Sequence, residues 1–217
     1  CGSQNTAVGH DALNDNTQGN YNIAMGSNAL AANTTGDNNT GIGSAALASN
    51  TTAANNTAVG KSALSANTTG TNNVAVGANA LDANTTGSQN VALGRDSLTA
   101  SNGERNTALG HDTLKQNTSG GSNVAVGTFA GDNITTGDNN IVIGVFADAS
   151  SATVDNEITL GDTNIATLRC NVQTISSLSD ARDKTNVIDL PEGLDFVTKL
   201  RPVKFEWATR DGNGKDG

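Results

Sequence analysis

Residues 56–72 read Asn-Thr-Ala-Val-Gly-Lys-Ser-Ala-Leu-Ser-Ala-Asn-Thr-Thr-Gly-Thr-Asn, and variants of this seventeen-residue unit fill most of the chain. An apolar triplet closed by Gly marks each copy, with one sixteen-residue spacing, between Gly94 and Gly110. The nine closing glycines are Gly9, Gly26, Gly43, Gly60, Gly77, Gly94, Gly110, Gly127 and Gly144. A short fixed period is the signature of solenoids, in which each unit is stable only against its neighbours.

Each unit combines a strand signal with turn signals. The alternation in Thr57-Ala58-Val59 predicts a strand with one tightly packed face. The pair Ala63-Leu64 is a second apolar stretch, and residues 67–70, Asn-Thr-Thr-Gly, are expected to reverse the chain because Asn and Gly tolerate positive φ. Recurrent Asn, Gly and β-branched residues exclude a helical interpretation.

An Asn precedes every triplet by two residues, and we expect these side chains to stack. Strands lie about 4.8 Å apart, so nine coils would extend roughly 40 Å. The predicted column would form an Asn ladder in which each amide bonds the next. Its members are Asn5, Asn22, Asn39, Asn56, Asn73, Asn90, Asn106, Asn123 and Asn140. The recurring Gly predicts a corner where backbones approach closely.

The composition restricts the class of protein. Among 217 residues, 35% are hydrophobic and 3% aromatic, too few for the core of a globular monomer of this size. Strict periodicity argues against disorder. Two arrangements remain open. The solenoid is monomeric, or other copies of the chain cover its apolar strips, and the small number of aromatic residues favours the second arrangement.

The charge and the apolar runs bear on partners. A net charge of −9 repels phosphate backbones, so no nucleic-acid partner is expected. The longest apolar stretch, residues 141–147, is too short to cross a bilayer, so no membrane insertion is expected.

The motif Asn-Thr-Ala-Val-Gly-x-x-Ala-Leu resembles the head repeat of trimeric autotransporter adhesins from Ser3 to about Ala149. The resemblance implies an all-β, left-handed parallel β-roll or β-solenoid over residues 1–149, built as a homotrimer. The seventeen-residue unit is longer than the shortest coils of that family. Residues 150–178 are expected to form a β-prism neck, because Ile158 and Leu160 share one face there and Leu168, Cys170 and Val172 another.

From Ser179 onward the composition changes, with more charge and less Asn. Residues 179–187, Ser-Asp-Ala-Arg-Asp-Lys-Thr-Asn-Val, and 200–207, Leu-Arg-Pro-Val-Lys-Phe-Glu-Trp, resemble the intramolecular chaperone of phage tail fibres and tailspikes, the peptidase S74 family. The resemblance implies that residues 179–217 begin a small α+β domain that drives trimerisation of the fibre. It further implies self-cleavage of the Leu178–Ser179 bond by a dyad of Ser179 and Lys184.

This chemistry is coherent because a Ser hydroxyl becomes a good nucleophile only when a base accepts its proton. A Lys whose pKa is depressed can be that base. Such a reaction turns over once and has no external substrate. On spacing alone, Ser179 and Lys184 could equally be surface residues at a domain boundary.

Other potential sites carry less weight, and neither a cofactor nor a metal is expected. Cys1 and Cys170 are too far apart in sequence for a ligand motif. His10 and His111 occupy a repeat position that elsewhere holds Ser, Lys, Ala, Arg, Thr or Val, and a position this variable is interpreted as a solvated corner.

Two functions remain. One is the shaft of a virion tail fibre that binds a host cell-surface receptor such as a glycan. The other is the head of a trimeric adhesin on a bacterial cell surface, without autoproteolysis.

Overall fold

The computed structural model describes residues 2–169, which form one parallel sheet of ten three-residue strands. The strands follow one another in chain order, one from each coil. They are β1 (Thr6–Val8), β2 (Ile23–Met25), β3 (Thr40–Ile42), β4 (Thr57–Val59), β5 (Val74–Val76), β6 (Val91–Leu93), β7 (Thr107–Leu109), β8 (Val124–Val126), β9 (Ile141–Ile143) and β10 (Ile158–Leu160). Among these residues the structure contains no helix, and therefore none able to span a membrane.

The register follows the sequence period. Each strand residue pairs with its equivalent in the next coil, as Ala58 does with Ala75, and the sixteen-residue spacing is absorbed without a slip, since Val91 pairs with Thr107. Nine strand spacings make the sheet roughly 43 Å long. The predicted all-β parallel solenoid is confirmed.

The sheet extends to β10, so Ile158 and Leu160 of the predicted neck form its last strand. The left-handed sense, the homotrimer, the β-prism neck and the boundaries 1–149, 150–178 and 179–217 stay predictions. The predicted α+β segment and Cys170 lie outside the described residues.

The interior is a narrow stack of small residues and Leu. The middle residue of β4, Ala58, points inward and is fully buried, and so are Ala63 and Leu64 of the same coil. The same positions are buried in the other central coils. The tightly packed face of a strand is therefore the face of its middle residue, which is Ala in seven of the ten strands, and the larger flanking side chains are left on the outside.

The Gly that closes each strand forms a corner, as predicted. Gly60 has φ +139°, and a Cβ there would lie 2.4 Å from the carbonyl oxygen of Gly77 in the next coil. Real Cβ atoms do not approach an oxygen so closely, and L-residues rarely adopt this φ. Both conditions recur at the equivalent glycines from Gly9 to Gly127.

The Leu of each coil lies in the left-handed region, which the sequence does not signal. Leu64 has φ 52°, an uncommon value for a bulky residue. Its N–H donates to Ala80 O at 2.9 Å, its carbonyl accepts from Asn67 N at 3.2 Å, and its side chain is fully buried. Burial and satisfied backbone bonds offset the conformational cost, which is of order 1–3 kcal/mol for such a residue.

The expected basis of the chain reversal at residues 67–70 is wrong. Neither Asn67 nor Gly70 has a positive φ, whereas Asn72, two residues later, has φ 60°. Gly70 is required for space instead, because a Cβ would lie 2.3 Å from Gly87 O. The residues with positive φ thus lie outside residues 67–70, the stretch in which turn propensity predicted them.

Two Asn columns run through the solenoid, and their bonding differs from the expected ladder. In the predicted column, Asn73 Oδ1 accepts from Asn90 N at 2.9 Å, and Asn73 Nδ2 donates to Gly87 O at 2.9 Å. These side chains therefore bond mainly to the backbone of the following coil. An amide-to-amide ladder is formed instead by the turn residues of the first five coils, from Asn16 to Asn84, as where Asn67 Nδ2 donates to Asn50 Oδ1 at 3.0 Å.

Candidate functional site: an apolar sheet face and an aromatic corner

The residues predicted to perform self-cleavage cannot be placed in the fold. Leu178, Ser179 and Lys184 all lie outside the described residues. The dyad and the scissile bond therefore stay predictions. The surface features of residues 2–169 provide the candidate site that the structure does describe.

The outward face of the sheet is the largest such feature. In each strand the first and third residues point away from the core, which gives twenty outward positions in two columns. Sixteen are apolar, four are Thr, and none is charged. We call these twenty positions the outer face.

Much of the outer face is uncovered within one chain. Nine of its apolar side chains have exposed fractions between 36% and 67%. They are Val8, Ile23, Met25, Ile42, Val74, Leu93, Ile143, Ile158 and Leu160. Scattered apolar residues are normal on protein surfaces, but a contiguous apolar strip along an entire sheet indicates an interface.

The charged groups lie in corners and turns beside the core, and some are perturbed. Burial raises the pKa of Asp82, and the charge of Asp96 adds to this effect. Burial and then the charge of Asp148 raise the pKa of Asp132. By contrast, hydrogen bonds from Ser150 hold the pKa of the Glu157 carboxyl below its usual value.

One group of potential metal ligands occurs in the described part of the chain: Asp96, His111 and Asp112. Both ring nitrogens of His111 are already engaged, Nδ1 with Asp112 Oδ2 at 3.0 Å and Nε2 with Arg95 Nε at 3.0 Å. Lys115 Nζ lies 2.8 Å from Asp112 Oδ1, and the hydrogen bond to Asp112 raises the pKa of Lys115. Arg95 lies 3.0 Å from Asp96 Oδ2, so each of the two carboxylates has a protein cation beside it and the arrangement is an ion-pair network.

An aromatic corner lies beside this network. Phe129 and Phe146 are each the second residue after the closing Gly of their coils, and their rings stack with centroids 5.1 Å apart and planes 8° apart. The His111 ring meets Phe129 edge-on at 5.6 Å. Phe146 is 59% exposed and Val145 is 54% exposed. We use "aromatic corner" for Phe129, Val145 and Phe146.

The aromatic corner was not predicted from the sequence, although the sequence contains a signal for it. The second residue after the closing Gly is Asp, Asn, Ala or Ser in the first seven copies and Phe in the last two. Only a comparison of the copies position by position isolates that change. The exposure of the two rings and their stacking could not be derived without the left-handed geometry of the corner, where φ is 58° and 56°.

The comparison with protein families bears on the C-terminal segment. Residues 179–217 match the family model Peptidase_S74, described as chaperone of endosialidase. This is the segment whose motifs resemble the phage intramolecular chaperones, and the repeats before it form the expected parallel solenoid. No curated protein and no solved structure matches the chain.

Proposed function

We propose that this chain is a segment of a trimeric phage tail fibre that binds a receptor on the host cell surface. In this proposal three copies pack their outer faces around a common axis and form the shaft. The segment from Ser179 is an intramolecular chaperone that directs trimerisation and then cleaves itself from the shaft.

The uncovered outer face is the observation that carries the trimer. Parallel sheets are normally covered on both faces, whereas the core of this chain covers only one. Complete burial of an aliphatic side chain corresponds to about 60–120 Å², so the nine exposed ones, on average just under half exposed, offer on the order of 400 Å². That is about half of the roughly 800 Å² per partner of a standard interface, and the seven partly exposed apolar residues of the outer face add to it.

The regularity of the coils makes a second copy the natural occupant. The outer face is a strip about 43 Å long whose composition hardly changes along its length. An identical strip on another copy matches it in length, spacing and lack of charge. Three copies, rather than two, are supported by the resemblance of the repeats to trimeric adhesin heads and by the match of residues 179–217 to a chaperone family that acts on fibres.

The proposed cleavage needs only groups of this chain and water. Ser179 Oγ adds to the carbonyl carbon of Leu178 while the Lys184 amine accepts the hydroxyl proton. The C–N bond then breaks, the Ser179 nitrogen takes up a proton, and an ester links Leu178 to Ser179. Water hydrolyses the ester, which leaves a carboxylate on Leu178 and a free α-amino group on Ser179.

A trimeric adhesin head on a bacterial surface is the second candidate. The solenoid and its outer face suit that function equally well. The match at residues 179–217 favours the fibre, because an intramolecular chaperone acts on the segment ahead of it.

The trimer is tested by placing a charge on the outer face. Val76→Glu puts a carboxylate at its centre, where burial between copies would be costly. The control Thr69→Glu adds the same charge on an exposed turn. We expect sedimentation to give three times the chain mass for the unmodified protein and the control, and a monomer for Val76→Glu. A monomeric unmodified chain would refute the proposal.

The cleavage is tested separately by intact mass on the full-length protein. The unmodified chain is expected to release a fragment that begins at Ser179, whereas Ser179→Ala and Lys184→Ala stay whole. Asp183→Ala, between the two, serves as the control and is expected to cleave. If each of the four proteins keeps the mass of its own uncleaved chain, self-cleavage is excluded and the trimer is untouched.

A further inference from the structure

The outer face alone leaves one property of the trimer undetermined: the axial register of the copies. Successive coils present nearly the same two outward residues, so a copy displaced by one coil, about 4.8 Å, keeps nearly all of its apolar contacts. Strips of uniform composition specify register weakly. A feature that occurs in only part of the coils is therefore needed to select one alignment.

We propose that the aromatic corner packs against a second copy of this chain and fixes that register. The inference rests on the proposed trimer and adds the residues that align it. Phe129 and Phe146 occupy the eighth and ninth Gly corners, whereas the first seven carry Asp, Asn, Ala or Ser and the corner after β10 carries Thr163. A one-coil displacement would bring the exposed Phe ring opposite a different coil and lose its contact.

The corner is continuous with the outer face. Val145 and Phe146 follow Ile143, which ends β9, after the single residue Gly144. Ile143 is 43% exposed, and its partner Leu160 on β10 is 51% exposed. The apolar strip therefore broadens at the C-terminal end of the sheet, where the sequence leads on to the segment that matches the chaperone family.

A second copy fits the corner better than a sugar. Carbohydrate and other small-molecule sites combine an apolar platform with a few polar groups that fix the orientation of the ligand. Within three residues of Phe146 along the chain, the exposed side chains of Ile143 and Val145 are aliphatic and that of Asp148 is polar, and Leu160, which pairs with Ile143 in the sheet, is again aliphatic. The nearby His111 has both ring nitrogens engaged by Arg95 and Asp112.

The experiment uses photocrosslinking of the full chain. One protein has Phe146 replaced by p-benzoylphenylalanine, and a second has Val76 on the outer face replaced in the same way. Irradiation links each probe to the nearest chain, and mass spectrometry identifies the coil that was captured, because the coils differ in sequence. We expect the Phe146 probe to capture a second copy, and the Val76 probe to capture residues of one or two adjacent coils.

The register is then tested with Phe129→Asn and Phe146→Asn combined in the Val76-probe protein. Asn occupies this corner at Asn28 and Asn79 with φ of 59° and 57°, so the coils are expected to fold normally. In this double variant, the residues that the Val76 probe captures should be distributed over four or more coils instead of one or two. The matched control, Asn28→Ser, introduces a residue that Ser62 already supplies at this position, and should leave the capture unchanged.

The outcomes separate this inference from the proposed function. If neither probe captures a second chain, the trimer fails and the inference fails with it. If only the Val76 probe captures a second chain, the trimer stands but the aromatic corner is not part of its interface. That result is the one expected if the corner binds a sugar instead. If both probes capture a second chain but the double variant keeps the narrow distribution, another feature sets the register.

Discussion

Replacement of Asn73 by Ala tests the bonding that holds adjacent coils together. Asn73 is fully buried and has two partners in the next coil: its Oδ1 accepts from Asn90 N, and its Nδ2 donates to Gly87 O, both at 2.9 Å. The residues Asn90 and Gly87 are themselves buried. Ala removes both bonds and leaves the Asn90 N–H without a partner, whereas Gly87 O still accepts from Asn84 Nδ2 at 3.0 Å.

The expected cost combines one orphaned donor with one lost hydrogen bond. A buried polar group that loses its partner costs about 1–3 kcal/mol, and the lost bond to Gly87 O costs about 0.5–1.5 kcal/mol, so Asn73→Ala should destabilise the solenoid by about 1.5–4.5 kcal/mol. In a protein of 150–250 residues each kcal/mol lowers the Tm by about 2–4 °C, which gives a fall of about 3 °C or more. Because stability in a solenoid is a sum of neighbouring interfaces, the effect should be greatest between coils five and six.

Two measurements on the same samples check this prediction. Thermal unfolding gives the overall loss, and amide hydrogen exchange at Asn90 reports the orphaned donor directly. The control Thr69→Ala alters an exposed side chain of the neighbouring turn and should change the stability by less than about 0.5 kcal/mol. If Asn73→Ala unfolds like the control and the Asn90 amide stays protected, the assignment of the Asn column as the link between coils is refuted.

Three further changes test the corners and the buried carboxyls. Gly60→Ala should disrupt the sheet between β4 and β5, since its Cβ would lie 2.4 Å from Gly77 O at φ +139°, and limited proteolysis should then cut coils that stay intact in the exposed control Lys61→Ala. Burial and the charge of Asp148 raise the pKa of Asp132, so this carboxyl binds a proton at higher pH in the folded state than in the unfolded state. The free energy of unfolding therefore increases as the pH falls through the raised pKa. Asp132→Asn should therefore raise the unfolding midpoint at pH 7 and flatten its rise towards lower pH, whereas a profile that matches the exposed control Asp15→Asn would contradict this. Gly131→Leu alone should overpack the core, because a Cβ at this position would lie 3.1 Å from Leu114 Cδ2 and 3.4 Å from Ile134 Cδ1. The double variant Gly131→Leu with Ile134→Asn restores the Leu and the Asn that most coils carry at these two positions. Urea unfolding of the double variant should recover most of the loss of the single one, and additive losses would rule out the exchange of volume between these positions.

The fold was predictable because the repeat constrains it at several levels at once. A period of seventeen residues with a Gly at a constant position admits a parallel stack with one strand per coil, and the pairing of Ala58 with Ala75 follows directly. The close approach at Gly60 was predictable for the same reason, since only Gly leaves room for an adjacent backbone. The sixteen-residue spacing did not disturb the register because the missing residue falls in a turn.

The dihedral angles of the corners were not predictable from residue preferences. Leu64 lies in the left-handed region although Leu disfavours it, whereas Asn67 and Gly70, which favour it, lie outside. Burial of the Leu side chain and bonds to the adjacent coils override the local preference, and neither exists until coils stack. The same geometry decides which Asn column bonds to the backbone and which forms the amide ladder, so the two could not be told apart in the sequence.

Within the candidate site, the sequence gives a specific signal only at a position where one copy of the repeat carries a different kind of residue from the other copies. The outer face repeats in every coil and therefore carries information about assembly but little about alignment along the axis. Phe129 and Phe146 interrupt a polar position in the last two copies, and two large rings at φ 58° and 56° carry a conformational cost that a simple surface turn would avoid. The stack between the rings offsets part of that cost and leaves one face of Phe146 open. The outer face is nearly the same in every coil, so a residue type found in only two coils is the kind of feature by which one copy can recognise a particular coil of another.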